Sequence, residues 1–268
     1  MRGRVTLAAI ALCGAIATPA RAGDEPARAF CSDRPGLGTP ACTLDPGRFQ
    51  LELGLGDWTR DRDAGSRTDT VAAGDVLLRW GAGDHTEIQL GWTAFGHVNV
   101  RSGGLSADES SVGDVTIAVR RNLRNPDGSG TSLAVMPYVT LPTGGDAIGA
   151  GDVGVGLLAP MAFDPGGAIS FALTPSVAAA VDEDRNGRHL AYGGVVGLGF
   201  SLSDAVGASL EAAVVRDNDP AGHSTEALAG VSLGWMASPD LQVDMGTNLG
   251  LNNASNDVQL YVGLSRRF

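Results

Sequence analysis

The stretch VQLYVGLSRRF (258–268) puts Val258, Leu260, Val262, Leu264 and Phe268 on one parity and Gln259, Tyr261, Gly263, Ser265 and Arg267 on the other. Arg266 alone breaks the alternation. A period of two belongs to a strand, whose successive side chains point to opposite faces. The question is what lies against the apolar face.

The same rhythm recurs upstream. RFQLELGLGDW (48–58), TEIQLGWTAF (86–95), DVTIAVRRNL (114–123) and LQVDMGTNLGL (241–251) alternate cleanly. Segments near 68–80, 131–142, 151–163, 168–182, 188–203, 205–216 and 224–237 alternate less strictly, with Gly, Ala and Ser on the second face. Together they predict about twelve strands of roughly 10–15 residues, twice the usual length in a globular sandwich and enough to cross a bilayer at a tilt. The connections alternate too. GAGD (81–84), DPGG (164–167), SLSD (201–204) and SPD (238–240) are tight, whereas 57–67, 96–111, 142–151, 182–188, 216–224 and 251–257 are longer and polar. Short turns at one end and long loops at the other mark a transmembrane barrel. The predicted fold is all-β, a single antiparallel transmembrane barrel over 48–268 with lipid against its apolar face.

Bulk properties agree. The 268 residues have a mean hydropathy of +0.06, because a barrel averages its lipid face against its wet one. Residues 1–22, with Arg2 and Arg4, a short apolar run and Ala20-Arg21-Ala22, read as a cleaved signal peptide. The net charge is −11, and more negative still without the leader's three arginines, which excludes nucleic-acid binding by a basic field. In an exported chain the pair Cys31 and Cys42 predicts a disulfide, pinning residues 23–47 as an N-terminal periplasmic segment ahead of the barrel.

DRPG (33–36), DPGRFQLELGLGDW (45–58), YVTLPTG (138–144), GAGDVGVGLLAP (149–160) and the terminal YVGLSRRF together resemble the outer-membrane proteins of the meta-pathway phenol-degradation transporter family. The resemblance implies a bacterial outer-membrane barrel that passes small, often aromatic, solutes. It also implies that Phe268 serves as the signal read by the outer-membrane assembly machinery. Lipids and lipopolysaccharide are the expected surroundings.

Parity assigns Glu52, Asp75, Arg79, Glu87, Asp114, Arg120, Tyr138, Asp152, Glu211, Glu226, Asp244 and Tyr261 to the lumen. These charges either pair into a polar core or line a water path whose acid excess favours cations and neutral solutes. Tyr138 and Tyr261 are the candidates for stacking a ring-shaped solute. Trp58, Trp80, Trp92, Trp235, Phe95, Phe163, Phe200 and Tyr192 read as interface girdle residues. An enzyme is not expected: no G-x-S-x-G occurs, and His97, His189 and His223 fall in or beside loops. DEDRNG (182–187) and RDNDP (216–220) are too short for a calcium loop and read as solvated external loops, so neither metal nor cofactor is expected. The rival functions are a plugged structural or adhesion-type barrel acting through its external loops and a barrel-wall lipid hydrolase.

Overall fold

The computed structural model describes residues 27–268; the expected signal peptide lies outside the described residues. Fourteen strand segments follow in order: β1 (Phe49–Asp63), β2 (Ser66–Gly83), β3 (Thr86–Ser102), β4 (Leu105–Ser111), β5 (Val115–Arg124), β6 (Gly130–Leu141), β7 (Gly154–Leu158), β8 (Met161–Asp164), β9 (Ile169–Val181), β10 (Arg188–Ser201), β11 (Val206–Asp219), β12 (Gly222–Ser238), β13 (Leu241–Gly250) and β14 (Val258–Arg267). All pairings are antiparallel. β4 and β5 share β3 as partner, and β7 and β8 both lie between β6 and β9, so each pair is one interrupted strand and the barrel closes with twelve. The first interruption is Val112–Asp114 and the second is Ala159–Pro160, where proline supplies no N–H to the ladder. Closure joins β14 to β1 over Gln50↔Arg267 through Arg60↔Val258, and the Phe268 N–H donates to Phe49 O.

The interior is the reverse of a soluble core. The largest fully buried side chains include Arg79, Arg120, Gln50, Glu52, Glu87, Asn122 and Asp244. Leu78, Leu90, Leu198, Leu210, Leu233, Met245 and Leu260 are exposed on the outside. An aqueous protein avoids an apolar surface this continuous, whereas hydrocarbon would cover it at no cost. Leu90 and Leu260 are 45% and 48% exposed, so the sandwich alternative, with these residues in a shared core, is ruled out. Trp80, Trp92, Trp235, Phe95, Phe163 and Tyr192 are exposed as a girdle requires, and Phe200 is half-buried. A bulge between Gly54 and Gly56 resets the parity of β1, which puts Trp58 outside beside Leu260 and Asp57 inside beside Tyr261. Arg266, the exception in the terminal strand, lays its guanidinium 5.3 Å from the Phe268 ring centre.

Three of the expected long loops are strand. β1–β2, β3–β4 and β11–β12 run on through RDRDAGSRTD, RSGGLSADESS and RDNDP as hairpins of up to 18 residues per strand. Ala64–Gly65 and Gly103–Gly104 turn two of them, all four with positive φ, as a two-residue turn between twisted strands requires. Polarity made these segments look like coil; past the apolar belt, both faces of a strand meet water.

Candidate functional site: the lumen and its inner segment

The disulfide Cys31–Cys42 forms as expected, but the segment carrying it does not hang below the barrel. Residues 31–44 run inside it, because their backbone groups find partners there, and the flanking residues bind the rim through Arg28 to Asp84 O and Gly47 N to Gly81 O. Asp33 N and Arg34 N donate to Glu52 Oε1 and Oε2 (both 3.0 Å), and Leu44 N donates to Glu87 Oε2 (2.9 Å). Leu37 N and Gly38 N donate to Glu211 (2.7 and 2.9 Å), and Thr39 N to Thr174 Oγ1 (3.1 Å). Arg34 pairs with Asp244 at 3.0 Å, its guanidinium passing over Gly263, where a side chain would collide with it. The segment thus touches β1, β3, β9, β11 and β13 and crosses the lumen as a plug.

Its tightest contact is a five-charge cluster. Arg79 donates from Nε and Nη2 to both Glu87 oxygens (2.8 and 2.9 Å) and from Nη1 to Glu52 (2.8 Å), with Asp33 at 3.1 Å. Arg120 Nη2 donates to both Asp33 oxygens (2.6 and 2.8 Å). Burial pushes the Asp33 carboxyl up, but Arg120 and Arg79 outweigh it and hold the group below its ordinary range. Gln50 and Gln89 donate to Glu52 and Glu87 (2.9 and 2.7 Å), so most remaining acceptor sites are filled. A buried ion network is tolerable when it is largely satisfied in this way; Arg120 Nε and Gln50 Oε1 alone among its atoms lack a partner among the described residues.

The plug leaves two spaces. Toward β2–β7 lies a cavity of about 300 Å³ lined by Leu77, Ala118, Met136, Tyr138 and Leu158, with Asp33 and Gln89 also on its wall. All but Asp33, which belongs to the plug, are on the lumen-facing parity, and the lining is mainly apolar. Toward β10–β12 lies a polar space of about 370 Å³ between Phe30 and Pro35 of the plug and Gly199, Ser209, Ser232 and Gln242 of the wall.

Of the residues expected in the lumen, Glu52, Arg79, Glu87, Arg120, Glu211 and Asp244 all hold the plug. Asp75 accepts from Thr93 (3.0 Å) and is exposed inside, and Glu226 faces inward opposite Val215 near the far end. Three expectations are corrected. Asp114 sits in the β4–β5 interruption and accepts Gly144 N and Ala150 N (2.7 Å each), tying down the β6–β7 loop. Asp152 lies in that loop, paired with Arg188 at 2.9 Å on the rim. The Tyr138 and Tyr261 rings do not stand free in the lumen: each lies over a neighbouring strand's glycine, Gly156 and Gly246, where a Cβ would collide with it, and the Arg34 guanidinium stands 5.6 Å from the Tyr261 ring centre. Tyr138 still edges the apolar cavity. Sequence reading missed Asp33, Arg34 and the plug role altogether. The available signal was a charged pair inside a disulfide loop, DRPG, matched to arginines on the inward parity.

A closed antiparallel barrel with an apolar exterior, a polar buried interior and an internal N-terminal plug is an outer-membrane-type β-barrel. The family described as "Putative MetA-pathway of phenol degradation" matches residues 32–268, and the chain belongs to it. The structure is similar to the porin NanC (7% identity, 81% of this chain and 98% of that one, TM-score 0.51). It is also similar to the translocator domain of the autotransporter NalP from Neisseria meningitidis (14% identity, 83% and 88%, TM-score 0.51). At these identities the likeness is one of fold. No curated protein matches the chain.

Proposed function

We propose that the protein is a channel of the bacterial outer membrane that passes small apolar or aromatic solutes, and that it is not an enzyme. The observation that carries this reading is the apolar cavity of about 300 Å³ set in an otherwise polar lumen, large enough for a single aromatic ring. The family's description, naming phenol degradation, supports the same solute class. Unpaired lumen acids such as Asp75 and Glu226 favour cations and neutral molecules over anions. The mature chain reaches the membrane after losing its signal peptide; lipids and lipopolysaccharide surround it, and Phe268 at the end of β14 is read by the assembly machinery.

Recording in planar bilayers tests this. The folded protein should conduct cations, phenol added to one side should interrupt the current, and Ala118→Trp, which fills the cavity, should remove that interruption. Anion preference, or phenol sensitivity that survives the substitution, would defeat the proposal. The plug favours a second reading, a closed structural or adhesion-type barrel; a flat current trace from correctly folded protein decides for it. Labelling by a serine-reactive probe would instead favour the lipid hydrolase, although Ser209 Oγ is engaged with Ser232 Oγ at 2.6 Å.

A further inference from the structure

The two acidic stretches expected to be separate solvated loops, DEDRNG (182–187) and RDNDP (216–220), meet around one histidine. His189 is the second residue of β10, registered with Ala180 of β9, and shares the lumen-facing parity with Asp217 and Asp219 of β11. Its side chain is 5% exposed. Nδ1 stands 2.9 Å from Asp182 Oδ1 and 3.3 Å from Asp219 Oδ2, while Nε2 faces Asp217 Oδ1 at 2.9 Å. Nδ1 is hydrogen-bonded to Asp182, whereas Nε2 lies on the opposite side of the ring beside Asp217 with no hydrogen bond of acceptable geometry.

Charge and geometry both point to a cation. Among the described residues no arginine is ion-paired with Asp182, Asp217 or Asp219; nearby Arg185 and Arg188 pair with Asp146 and Asp152 instead. Three carboxylates around one imidazole keep an excess of negative charge even when the ring is protonated. Asp219 is held in place by backbone donors, Glu183 N on Oδ2 and Ala221 N on Oδ1, both at 2.7 Å. The donor atoms of Asp182, His189 and Asp219 lie within 4.8 Å of one another, and separations of 2.9 and 3.3 Å are those of adjacent ligands on one ion with bonds of about 2.0–2.2 Å.

We propose that Asp182, His189 through Nδ1, and Asp219 form a site for a divalent first-row metal ion, with Asp217 orienting the imidazole from its far side. One imidazole and two carboxylates suit zinc or manganese; calcium takes oxygen ligands and would gain nothing from the ring. A carboxylate on the other ring nitrogen is the usual support for a metal-bound histidine, and Asp217 Oδ1, 2.9 Å from Nε2, is placed to become that support once the ring turns to an ion on Nδ1. The site is independent of the channel reading. It would fasten the β9–β10 loop to β11 at the lumen mouth, and that loop already reaches Asp146 of the β6–β7 loop through Arg185.

The test uses the full chain folded in detergent, stripped with a chelator and titrated calorimetrically with Zn²⁺ alone. Visible absorption of Co²⁺ in the same protein is the second readout. The proposal expects one equivalent bound, with affinity reduced more than tenfold in His189→Ala and Asp219→Asn. Asp217→Asn should weaken binding about tenfold or more at unchanged stoichiometry. His85→Ala, in the turn at the other end of the barrel, should bind as the parent does, and heat-modifiable migration on gels shows that each variant keeps its barrel. Absence of a stoichiometric site in the parent, or affinity that His189→Ala leaves unchanged, overturns it.

Discussion

The two walls of the lumen hold the plug by different means. Against β2–β5 the contact is ionic and dry: Arg79, Arg120 and Glu87 are wholly buried, and the Asp33 carboxylate bridges both arginines. Against β9–β12 it is a few hydrogen bonds, Glu211 and Thr174 to backbone, beside a wall of glycine, alanine and serine and a space of about 370 Å³. The large charged residues of the wall pair with one another and grip the plug through Asp33, whereas small residues leave room. The plug therefore has a welded side and a loose side, and a polar route past it, if the channel conducts at rest, lies along the loose one.

Breaking the weld should have the largest effect. Arg79→Met strands Glu52, Glu87 and Asp33 without a shared cation, at a cost of about 3–5 kcal/mol divided between plug docking and the β1–β3 wall. The expected result is a several-fold rise in conductance and protease cleavage within residues 27–47 while heat-modifiable migration is retained; unchanged current in a folded barrel would refute the weld. Replacing Cys31 and Cys42 by serine together should loosen the plug by about 2–3 kcal/mol by freeing a short loop, with reductant reproducing the effect on the parent. On the loose side, Glu211→Ala removes the acceptor for Leu37 N and Gly38 N and should cost about 1–2 kcal/mol, read as more frequent open events.

Acid reaches the welded side through Asp33. With its folded-state pKa below the ordinary 3.8, Asp33 contributes docking that is fully present above that value and is lost as pH falls through the lowered one. Conductance should stay flat from about pH 8 to 5 and rise only below about pH 4. A rise centred near pH 6 would show that Asp33 is not the group holding the plug.

The barrel was legible because its physics is local. Leu51, Leu53 and Leu90 alternate with Glu52, Gln89 and Gly91 in any register, so strand identity, strand number and lipid face could all be read from a period of two. What escaped reading depends on contacts distant in sequence. Asp33 meets Arg120 across 87 residues, and nothing near CSDRPG announces that its partners lie inside the barrel. The hairpin extensions escaped for the opposite reason: in RDRDAGSRTD both faces are polar, so alternation disappears while the ladder continues from Asp57↔Ala72 to Asp63↔Ser66. His189 likewise looked like a lone loop histidine until register placed Asp217 and Asp219 beside it.

The smallest predicted effect separates structural from solute-binding aromatics. Tyr138 and Tyr261 have the right parity to meet a solute, yet each ring is laid over a glycine of the next strand, which turns a bulky residue into part of the wall. The Tyr261 hydroxyl is buried without a hydrogen-bond partner, so it carries a desolvation cost that a phenylalanine ring would not. Tyr261→Phe should therefore leave the barrel at least as stable as the parent and leave the block by phenol as it was. Gly246→Ala keeps the tyrosine but puts a methyl group where its ring rests, and should be the more damaging substitution despite its smaller chemical change. If Tyr261→Phe instead weakened the phenol block more than Gly246→Ala did, the hydroxyl would be a solute contact, and the route would run past β13–β14 instead of through the cavity lined by Leu77, Ala118 and Met136.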